Sequence, residues 1–429
     1  MELARSIAQY HQPAESDCIA IAQAITSTLS FNKAKRQLLV DVSATCRNDL
    51  KSGIQRVVRA LVWELIGIPP PGYRIEPVYL SDEGGRWHYR YARAWTSASM
   101  GLPVGWMADD PVAYADGDFL LMADLATGLV LEIKRAGLFE YLKLHGVKVY
   151  FVVYDLLPIQ MPMFFPPEQF GFVPWLDALT SVADGAVCIS QAVSEDLKSW
   201  VDTFGKPRSV PLNIEWFHLG ADIYNSLPTS GLLTNTAQVL SRLAAVPSFL
   251  MVGTIEPRKG YLQTLEAFTQ LWQEGCEINL VIVGKEGWQG LPENMRRTIP
   301  EMISQLRNHP ELGKHLIWLE GISDEYLEKV YAASHCLIAA SEGEGFGLPL
   351  IEAAQHKLSI IARDIPVFRE VAGIHAYYFS GLAPTQLSAS ITSWLELFKN
   401  NLAPSSVQMP WLTWKQSAEG LVKKLNLSY

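Results

Sequence analysis

The stretch that decides the fold is Ser341-Glu-Gly-Glu-Gly-Phe-Gly-Leu-Pro-Leu-Ile-Glu352. The apolar run at 336–340 before it predicts a buried parallel strand, and a helix with proline at its first position is predicted from Pro349. The three glycines inside the stretch let the backbone come close to a ligand. A strand, a glycine-rich turn and a helix N-terminus form an anion site, because unpaired N–H groups and the helix dipole point at one spot.

The two carboxylates of this stretch, Glu344 and Glu352, would repel a phosphate. An ionised carboxylate only accepts hydrogen bonds, so its natural partners are hydroxyl groups elsewhere in the same ligand. A ligand that carries both phosphates and many hydroxyls is a nucleotide sugar. The stretch therefore predicts a nucleotide-sugar site.

Chain length and composition bound the remaining possibilities. A chain of 429 residues predicts two domains of about 150–200 residues each. The net charge of -9 argues against a nucleic-acid partner. The five cysteines form no C-x-x-C pair and the nine histidines show no metal-ligand spacing, so we expect reduced thiols, no metal site and no cofactor.

The lengths of the apolar runs and the composition of the first residues predict where the protein is located. No apolar run reaches the roughly 18 residues that cross a bilayer. The first residues include polar side chains where a secretory signal would have an apolar core. These features predict a cytoplasmic protein, and they leave contact with the inner face of a membrane open.

Alternating strand and helix patterns predict an α/β fold with largely parallel sheets. In the first half, a strand at 37–42 leads through a polar loop to a helix that begins at Gly53, and a strand at 147–154 leads into Asp155. Ligands of such sheets bind beyond the carboxyl ends of the strands, so both residues are site candidates. For Asp155, helix capping or loop pinning stays open as an alternative. Arg56 and Arg59 lie near Gly53 in the same predicted helix. They could be solvated helix charges or ligand contacts.

The second half alternates more regularly, and its first loop carries two adjacent cations. A strand at 249–252 is followed by the loop Gly253-Thr-Ile-Glu-Pro-Arg-Lys-Gly260. Arg258 as a planar fork and Lys259 as a point charge could hold a diphosphate. A surface turn is the alternative interpretation. We expect this loop to lie two strands away from the 336–340 strand in the same sheet.

Motifs of competing enzyme classes are missing from the sequence. There is no G-x-G-x-x-G dinucleotide fingerprint, no Walker A loop and no G-x-S-x-G nucleophile elbow. A dehydrogenase, a P-loop enzyme or a hydrolase would lack its supporting residues.

The Phe249–Gly260 segment together with Glu344-x7-Glu352 resembles the retaining GT-B glycosyltransferases of the family 4-like, group 1 type. Within these it looks most like bacterial mannosyltransferases of O-antigen and polysaccharide synthesis. The resemblance is dense over 247–425 and thinner over 36–225. It implies a GT-B fold, in which two Rossmann-like domains face each other across a cleft.

The sequence pattern and the family resemblance together predict four segments. They are a helical extension at 1–35, an acceptor-side domain at 36–235, a nucleotide-sugar domain at 247–400 and a tail helix at 401–429. The pattern loosens over 225–246, which we interpret as the inter-domain connection. The tail helix is expected to pack back on the first domain, with Trp411 and Trp414 as packing anchors.

Site roles are carried over from the family residue by residue. Arg258 and Lys259 match the pair that holds the donor diphosphate, Glu352 matches the residue that binds the ribose hydroxyls, and Glu344 matches the one beside the donor sugar. Asp155 is the preferred polar contact in the first domain. The other implied donor-binding residues are the backbone N–H donors Phe346, Gly347 and Leu348, the base neighbours Lys285 and Ile322, and the loop residues Gly53 and Gly253.

One position departs from the family pattern, because many relatives carry a histidine where Tyr154 stands. That histidine serves the transferring sugar, so the group that acts there in this chain stays open.

The expected activity is a metal-independent, retaining hexosyl transfer, with GDP-mannose as the first choice of donor. The expected acceptor is a saccharide or a lipid-linked saccharide. Fixed cations and a helix N-terminus can stabilise the leaving diphosphate, and no D-x-D triplet stands where it could carry a divalent ion. Alternatives are UDP-glucose or dTDP- or GDP-rhamnose as donor, a catalytically silent nucleotide-sugar-binding subunit, and an epimerase whose acid and base groups we cannot identify.

Overall fold

A computed structural model describes residues 17, 35–49, 52–103, 105, 107–166, 171–222 and 229–427. Its strands form two separate sheets, one in each half of the chain. The expected helical extension at 1–35 lies outside the described residues, apart from Asp17 and Lys35.

The first half folds as an α/β unit around a seven-stranded sheet. Its strands are β1 (Arg36–Asp41), β2 (Tyr73–Ser81), β3 (His88–Tyr91), β4 (Phe119–Met122), β5 (Lys148–Val153), β6 (Gly185–Cys188) and β7 (Asn213–Trp216). Its described helices are α1 (Ser43–Arg47), α2 (Gly53–Gly67), α3 (Arg93–Ser99), α4 (Thr127–Arg135), α5 (Leu138–Leu144), α6 (Leu157–Gln160), α7 (Phe172–Val182) and α8 (Gln191–Phe204).

The second half repeats this arrangement around a six-stranded sheet. Its strands are β8 (Ser248–Val252), β9 (Asn279–Val283), β10 (Leu316–Leu319), β11 (Cys336–Ala339), β12 (Ser359–Arg363) and β13 (Tyr377–Phe379). The helices from the inter-sheet connection onward are α9 (Thr236–Ala245), α10 (Tyr261–Gln273), α11 (Ile299–Arg307), α12 (Asp324–Ala333), α13 (Leu348–Gln355), α14 (Pro366–Ala372), α15 (Pro384–Lys399) and α16 (Trp414–Lys424).

Both sheets are wound in two directions from a central strand pair. The strand orders are β3-β2-β1-β4-β5-β6-β7 and β10-β9-β8-β11-β12-β13, and all neighbours are parallel except β2 and β3. The winding direction reverses between β1 and β4 in one sheet and between β8 and β11 in the other. Loops at the carboxyl ends of these strands diverge there and leave room for a ligand. The predicted α/β fold class is confirmed.

The strand order corrects one expectation about the second sheet. β8 and β11 are direct neighbours, with Phe249 opposite Cys336 and Leu250 opposite Leu337. The Arg258 loop therefore lies beside the glutamate-rich stretch and not two strands away. Order along the chain hides this adjacency, because β9 and β10 wind outward before the chain crosses back to β11.

The connection between the sheets also differs from expectation. Residues 236–245 form helix α9, where the sequence pattern predicted a loose link. Thr236, Val239 and Leu243 are buried on one face of this helix. They lie three and four residues apart, which is the spacing of a packed helix face. The turn-forming residues before Thr236 obscured this pattern.

The halves are joined by polar contacts as well as by apolar packing. Glu370 on α14 accepts hydrogen bonds from the N–H groups of Gln191 and Ala192 at the start of α8, at 2.6 and 2.8 Å. The same carboxylate contacts His218 Nε2 at 2.7 Å. A carboxylate at a helix N-terminus is stabilised by the helix dipole, so Glu370 fastens α14 to the first half.

The terminal helix α16 packs against α2 of the first half. Its Trp414 is completely buried, and the Trp414 N–H donates to Asp222 Oδ1 at 2.5 Å. Gly220 makes this approach possible, because a Cβ there would lie 2.4 Å from the Trp414 nitrogen. Trp411 has 41% of its surface exposed, so the expectation that it anchors the tail was wrong. None of the described helices is long and apolar enough to span a membrane.

We predict that Trp414→Ala will lower the free energy of unfolding by about 3–5 kcal/mol, because it leaves a large cavity under α16. Trp411→Ala is the matched control, and a half-exposed residue should change stability by no more than about 0.5 kcal/mol. Urea unfolding followed by circular dichroism measures both. Equal losses in the two variants would contradict the difference in burial.

Candidate active site

A cavity of about 340 Å³ lies between the two halves, at the carboxyl ends of both sheets. Its walls bring together residues that are far apart in the sequence. The predicted site residues that line it are Gly53, Asp155, Gly253, Arg258, Lys259, Glu344, Phe346, Gly347, Leu348 and Glu352.

Glu344 lies at the centre of a group of charged side chains on the cavity wall. Its Oε2 lies 3.0 Å from Arg258 Nη1, and its Oε1 contacts Lys259 Nζ and accepts a 2.7 Å hydrogen bond from Ser341 Oγ. Burial alone would raise the pKa of Glu344, but Lys259 and Arg258 lower it to about 2. The carboxylate is therefore ionised at neutral pH and holds both cations in place.

Local backbone geometry brings the cation loop against the end of β11. Gly260, which follows the Arg258-Lys259 turn, has φ = +72°, and a Cβ there would lie 2.4 Å from the Ala340 carbonyl oxygen. The Glu342 N–H donates to the Arg258 carbonyl oxygen at 2.8 Å and links the two loops. Only glycine combines this φ with this closeness at low cost.

Arg258 is held on both sides of its guanidinium. Its Nη1 donates to the Gly343 carbonyl oxygen at 2.9 Å, and its Nη2 lies 3.1 Å from Glu256 Oε2. Burial lowers the pKa of Arg258, but Glu344, Glu256 and Asp155 outweigh it and raise the pKa, so the side chain stays charged. Sequence reasoning gave Glu256 no role. An acidic residue two positions before a cation pair was the available signal.

Glu352 lies on α13 and is only 2% exposed. Its Oε1 forms a 2.6 Å ion pair with Arg56 Nη1 from α2, and its Oε2 accepts a 2.7 Å hydrogen bond from Tyr331. Burial raises the pKa of Tyr331 far above its usual range, so the phenol keeps the proton it donates. Tyr331 was missed because nothing in the sequence of α12 shows which way its hydroxyl points.

Two helix N-termini face the cavity from opposite sides. α13 begins at Leu348 after Gly347, and α2 begins at Gly53 after Ser52. The first N–H groups of a helix have no partner within it, and the helix dipole makes this end attractive to anions. A Cβ added at Gly53 would meet no atom within 4 Å, so this glycine borders open space. Backbone donors for a phosphate are thus available on both walls.

Two glycines of the opening stretch let the two halves of the chain approach each other closely. A Cβ at Gly345 would lie 2.0 Å from the Tyr154 carbonyl oxygen, and one at Gly343 would lie 2.6 Å from Leu157 Cδ2. The Gly345 carbonyl also accepts a 2.8 Å hydrogen bond from Ser190 Oγ. These two glycines let the first half approach. Gly345 and Gly347 both line the cavity, and Gly347 lies at the N-terminus of α13.

Known proteins are similar to this chain in sequence and in fold. Residues 242–403 match the family described as glycosyl transferases group 1. The second half of the chain carries a glycosyltransferase group 1 domain. The serotype-specific mannosyltransferase WbdA of Escherichia coli is 44% identical over 415 residues, which are 96% of this chain and 49% of that protein. The chain thus spans about half the length of the curated relatives it matches.

Solved structures with low sequence identity show the same architecture. A sucrose-phosphate synthase from Thermosynechococcus elongatus superposes with a TM-score of 0.62 at 14% identity, covering 91% of this chain and 98% of that one. HepE of Anabaena, solved with UDP and glucose, gives a TM-score of 0.56 at 13% identity and covers 91% of this chain and 97% of that one. The expected GT-B arrangement of the two sheets is confirmed.

The first-half wall facing the glycosyltransferase group 1 domain carries Asp155. Its Oδ1 accepts a 3.1 Å hydrogen bond from the Leu157 N–H, which is the loop-pinning interaction left open by the sequence. Burial raises the pKa of Asp155, while the charge of Arg258 opposes this shift. Tyr154 points elsewhere, because its hydroxyl donates to the Ala123 carbonyl oxygen at 2.7 Å in the core of the first half. The tyrosine therefore offers no polar side-chain group at the position of the family histidine.

The two residues expected beside the base lie outside the lining of the 340 Å³ cavity. Lys285 follows β9 and is exposed, and Ile322 follows β10 and packs on the core. Lys285 Cε comes within 3.8 Å of the point where a Gly321 Cβ would lie, so the two loops are neighbours. Across the described part of the chain, no three His, Cys, Asp or Glu side chains are grouped so as to hold a metal ion.

We predict that Gly345→Ala will separate the two halves, because its Cβ would collide with backbone, which cannot rotate away. Overpacking of this kind costs about 1–3 kcal/mol, so the thermal midpoint should fall by several degrees and ligand binding in the cavity should weaken. Gly128→Ala, in helix α4 with no atom within 4 Å of the new Cβ, is the control and should keep both. Identical behaviour of the two variants would show that the halves do not need this contact.

Proposed function

We propose that this chain is a retaining, metal-independent glycosyltransferase that transfers mannose from GDP-mannose to a saccharide or lipid-linked saccharide of a bacterial surface polysaccharide. The observation that carries the proposal is the cluster of Arg258, Lys259 and Glu344 in the cavity between two Rossmann-like halves. The choice of mannose is supported by the 44% identity to the mannosyltransferase WbdA.

The leaving group of the proposed reaction is a nucleoside diphosphate, and two elements can stabilise its growing charge. Arg258 and Lys259 supply fixed positive charge, and the N-terminus of α13 supplies unpaired N–H groups. Such groups stabilise a transition state strongly when they are already oriented and shielded from water. Glu344 provides that orientation, because it holds both cations before any ligand arrives.

The carboxylates recognise the hydroxyl groups of the proposed donor. An ionised carboxylate has about four acceptor positions. Glu344 and Glu352 use part of theirs on protein donors, so acceptor positions remain for sugar and ribose hydroxyls. A ligand without hydroxyl donors would leave these acceptor positions unpaired on burial, which makes the site selective for hydroxyl-rich ligands.

The bond changes of the proposed transfer balance without a cofactor. The bond from the anomeric carbon to the diphosphate oxygen breaks, and a bond to the acceptor oxygen forms on the same face of the sugar. The proton of the acceptor hydroxyl moves to the departing diphosphate, because the diphosphate is a base that leaves on the face from which the acceptor attacks. Arg258 and Lys259 lower the barrier by stabilising the diphosphate as it leaves.

A donor screen with the purified chain and a saccharide acceptor tests the proposal. We expect GDP-mannose to release nucleoside diphosphate faster than UDP-glucose, dTDP-rhamnose or GDP-rhamnose. The rate should be unchanged in EDTA, because the stabilising charges belong to the protein. Loss of activity in EDTA would refute the metal-free proposal. Binding without turnover of any donor would favour a silent nucleotide-sugar-binding subunit.

Lys259→Ala should lower kcat/KM for the donor more than tenfold, which corresponds to more than about 1.4 kcal/mol of transition-state stabilisation. The physical reason is the loss of one of the two fixed charges beside the leaving diphosphate. Lys143→Ala, on the exposed surface of α5, is the control for loss of a lysine charge. A wild-type rate in Lys259→Ala would place the reaction in another cleft.

A further inference from the structure

Arg56 is a charged residue of the cavity wall, and one end of its guanidinium has no hydrogen-bond partner among the described residues. Its Nη1 is paired with Glu352, across the boundary between the halves. Its Nη2 is buried and has no hydrogen-bond partner among the described residues. Buried donors without an acceptor are rare in folded proteins and ask for an explanation. An absent ligand that supplies the acceptor is one such explanation.

Arg56 lies in the first turn of α2, at the end of the helix that faces the cavity. α2 begins at Gly53, three residues before Arg56. Helical side chains lean toward the N-terminus of their own helix, which for α2 is the end beside the cavity. Arg56 and Gly53 both line the cavity. Positive charge and backbone donors of the first half therefore converge on one region.

We propose that Arg56 is a donor-binding residue contributed by the first half of the chain. Its Nη1 holds the Glu352 carboxylate for the ribose, and its Nη2 donates to an oxygen of the diphosphate of the same nucleotide. This inference rests on the proposed function. A planar guanidinium suits the double role, because its fork presents separate donors to two acceptors at once.

The same arrangement couples donor binding to closure of the cleft. The diphosphate would be contacted by Arg258 and Lys259 from one half and by Arg56 from the other. Bound nucleotide then adds an attraction between the halves that is present only in the closed state. A ligand shifts a conformational equilibrium by its differential affinity for the two states.

The competing explanation is that Arg56 serves only to neutralise the buried Glu352. Removing either partner of a buried ion pair leaves the other uncompensated, so a single Arg56→Ala variant would weaken binding in both cases. The two explanations differ in the Glu352→Gln background. There the charge that needs compensation is gone, and only a direct contact to the nucleotide can still be lost.

A double-mutant cycle with GDP as the probe tests the inference by isothermal titration. We expect Arg56→Ala to weaken GDP binding more than tenfold in the wild-type background and at least fivefold in the Glu352→Gln background. Arg56→Lys keeps the positive charge but loses the planar fork, so its GDP affinity should lie between those of the wild type and Arg56→Ala. It also serves as a second variant if Arg56→Ala folds poorly. Arg59→Ala is the matched control on the same helix, because Arg59 pairs with Asp49 and lies outside the cavity lining.

Equal GDP affinity of Glu352→Gln and the double variant would overturn the direct contact and leave the proposed function standing. A wild type that binds neither GDP nor UDP would overturn both. Thermal unfolding of each variant separates loss of the fold from loss of the contact. A purely structural role would lower the unfolding midpoint of Arg56→Ala without changing GDP affinity in the Glu352→Gln background.

Discussion

The rest of the site depends on the ion pairs that the Glu344 carboxylate forms with Arg258 and Lys259. Burial by itself raises the pKa of this carboxylate, but two adjacent cations lower it to about 2. The cations are fixed in return, since the carboxylate is their shared partner. Three charged groups from two neighbouring loops thus form one rigid unit. Its geometry requires β8 and β11 to be adjacent, so the site follows from the strand order of the sheet.

Close contact between the halves is the second requirement. Gly343 and Gly345 remove the side chains that would hold the halves apart, and Glu370 fastens α14 to the start of α8. The ion pair between Arg56 and Glu352 crosses the same boundary beside the cavity. Each of these contacts joins the first half of the chain to the second, between residues that are more than 150 positions apart in the sequence. A site of this kind exists only when both halves are folded and closed.

Much of the site could be predicted from sequence because its chemistry is carried by short segments. The loop at 253–260 and the stretch at 341–352 each contain their charged groups and glycines within a few residues of a buried strand. The partners that complete them could not be predicted. Tyr331 lies on a helix whose pattern shows burial but not direction, and Arg56 had two equally consistent interpretations until its contact with Glu352 was seen.

The sequence by itself determined the two α/β halves, the position of most elements and the segments that bear charge. Local spacing encodes these properties, because helix and strand periodicity and turn chemistry act over a few residues. Only the tertiary structure decided that β8 adjoins β11, that Gly345 lies against the Tyr154 carbonyl, and that Trp411 is exposed while Trp414 is buried. These outcomes depend on how distant segments pack against each other. Close packing involves side chains from many segments at once, so no single segment determines it.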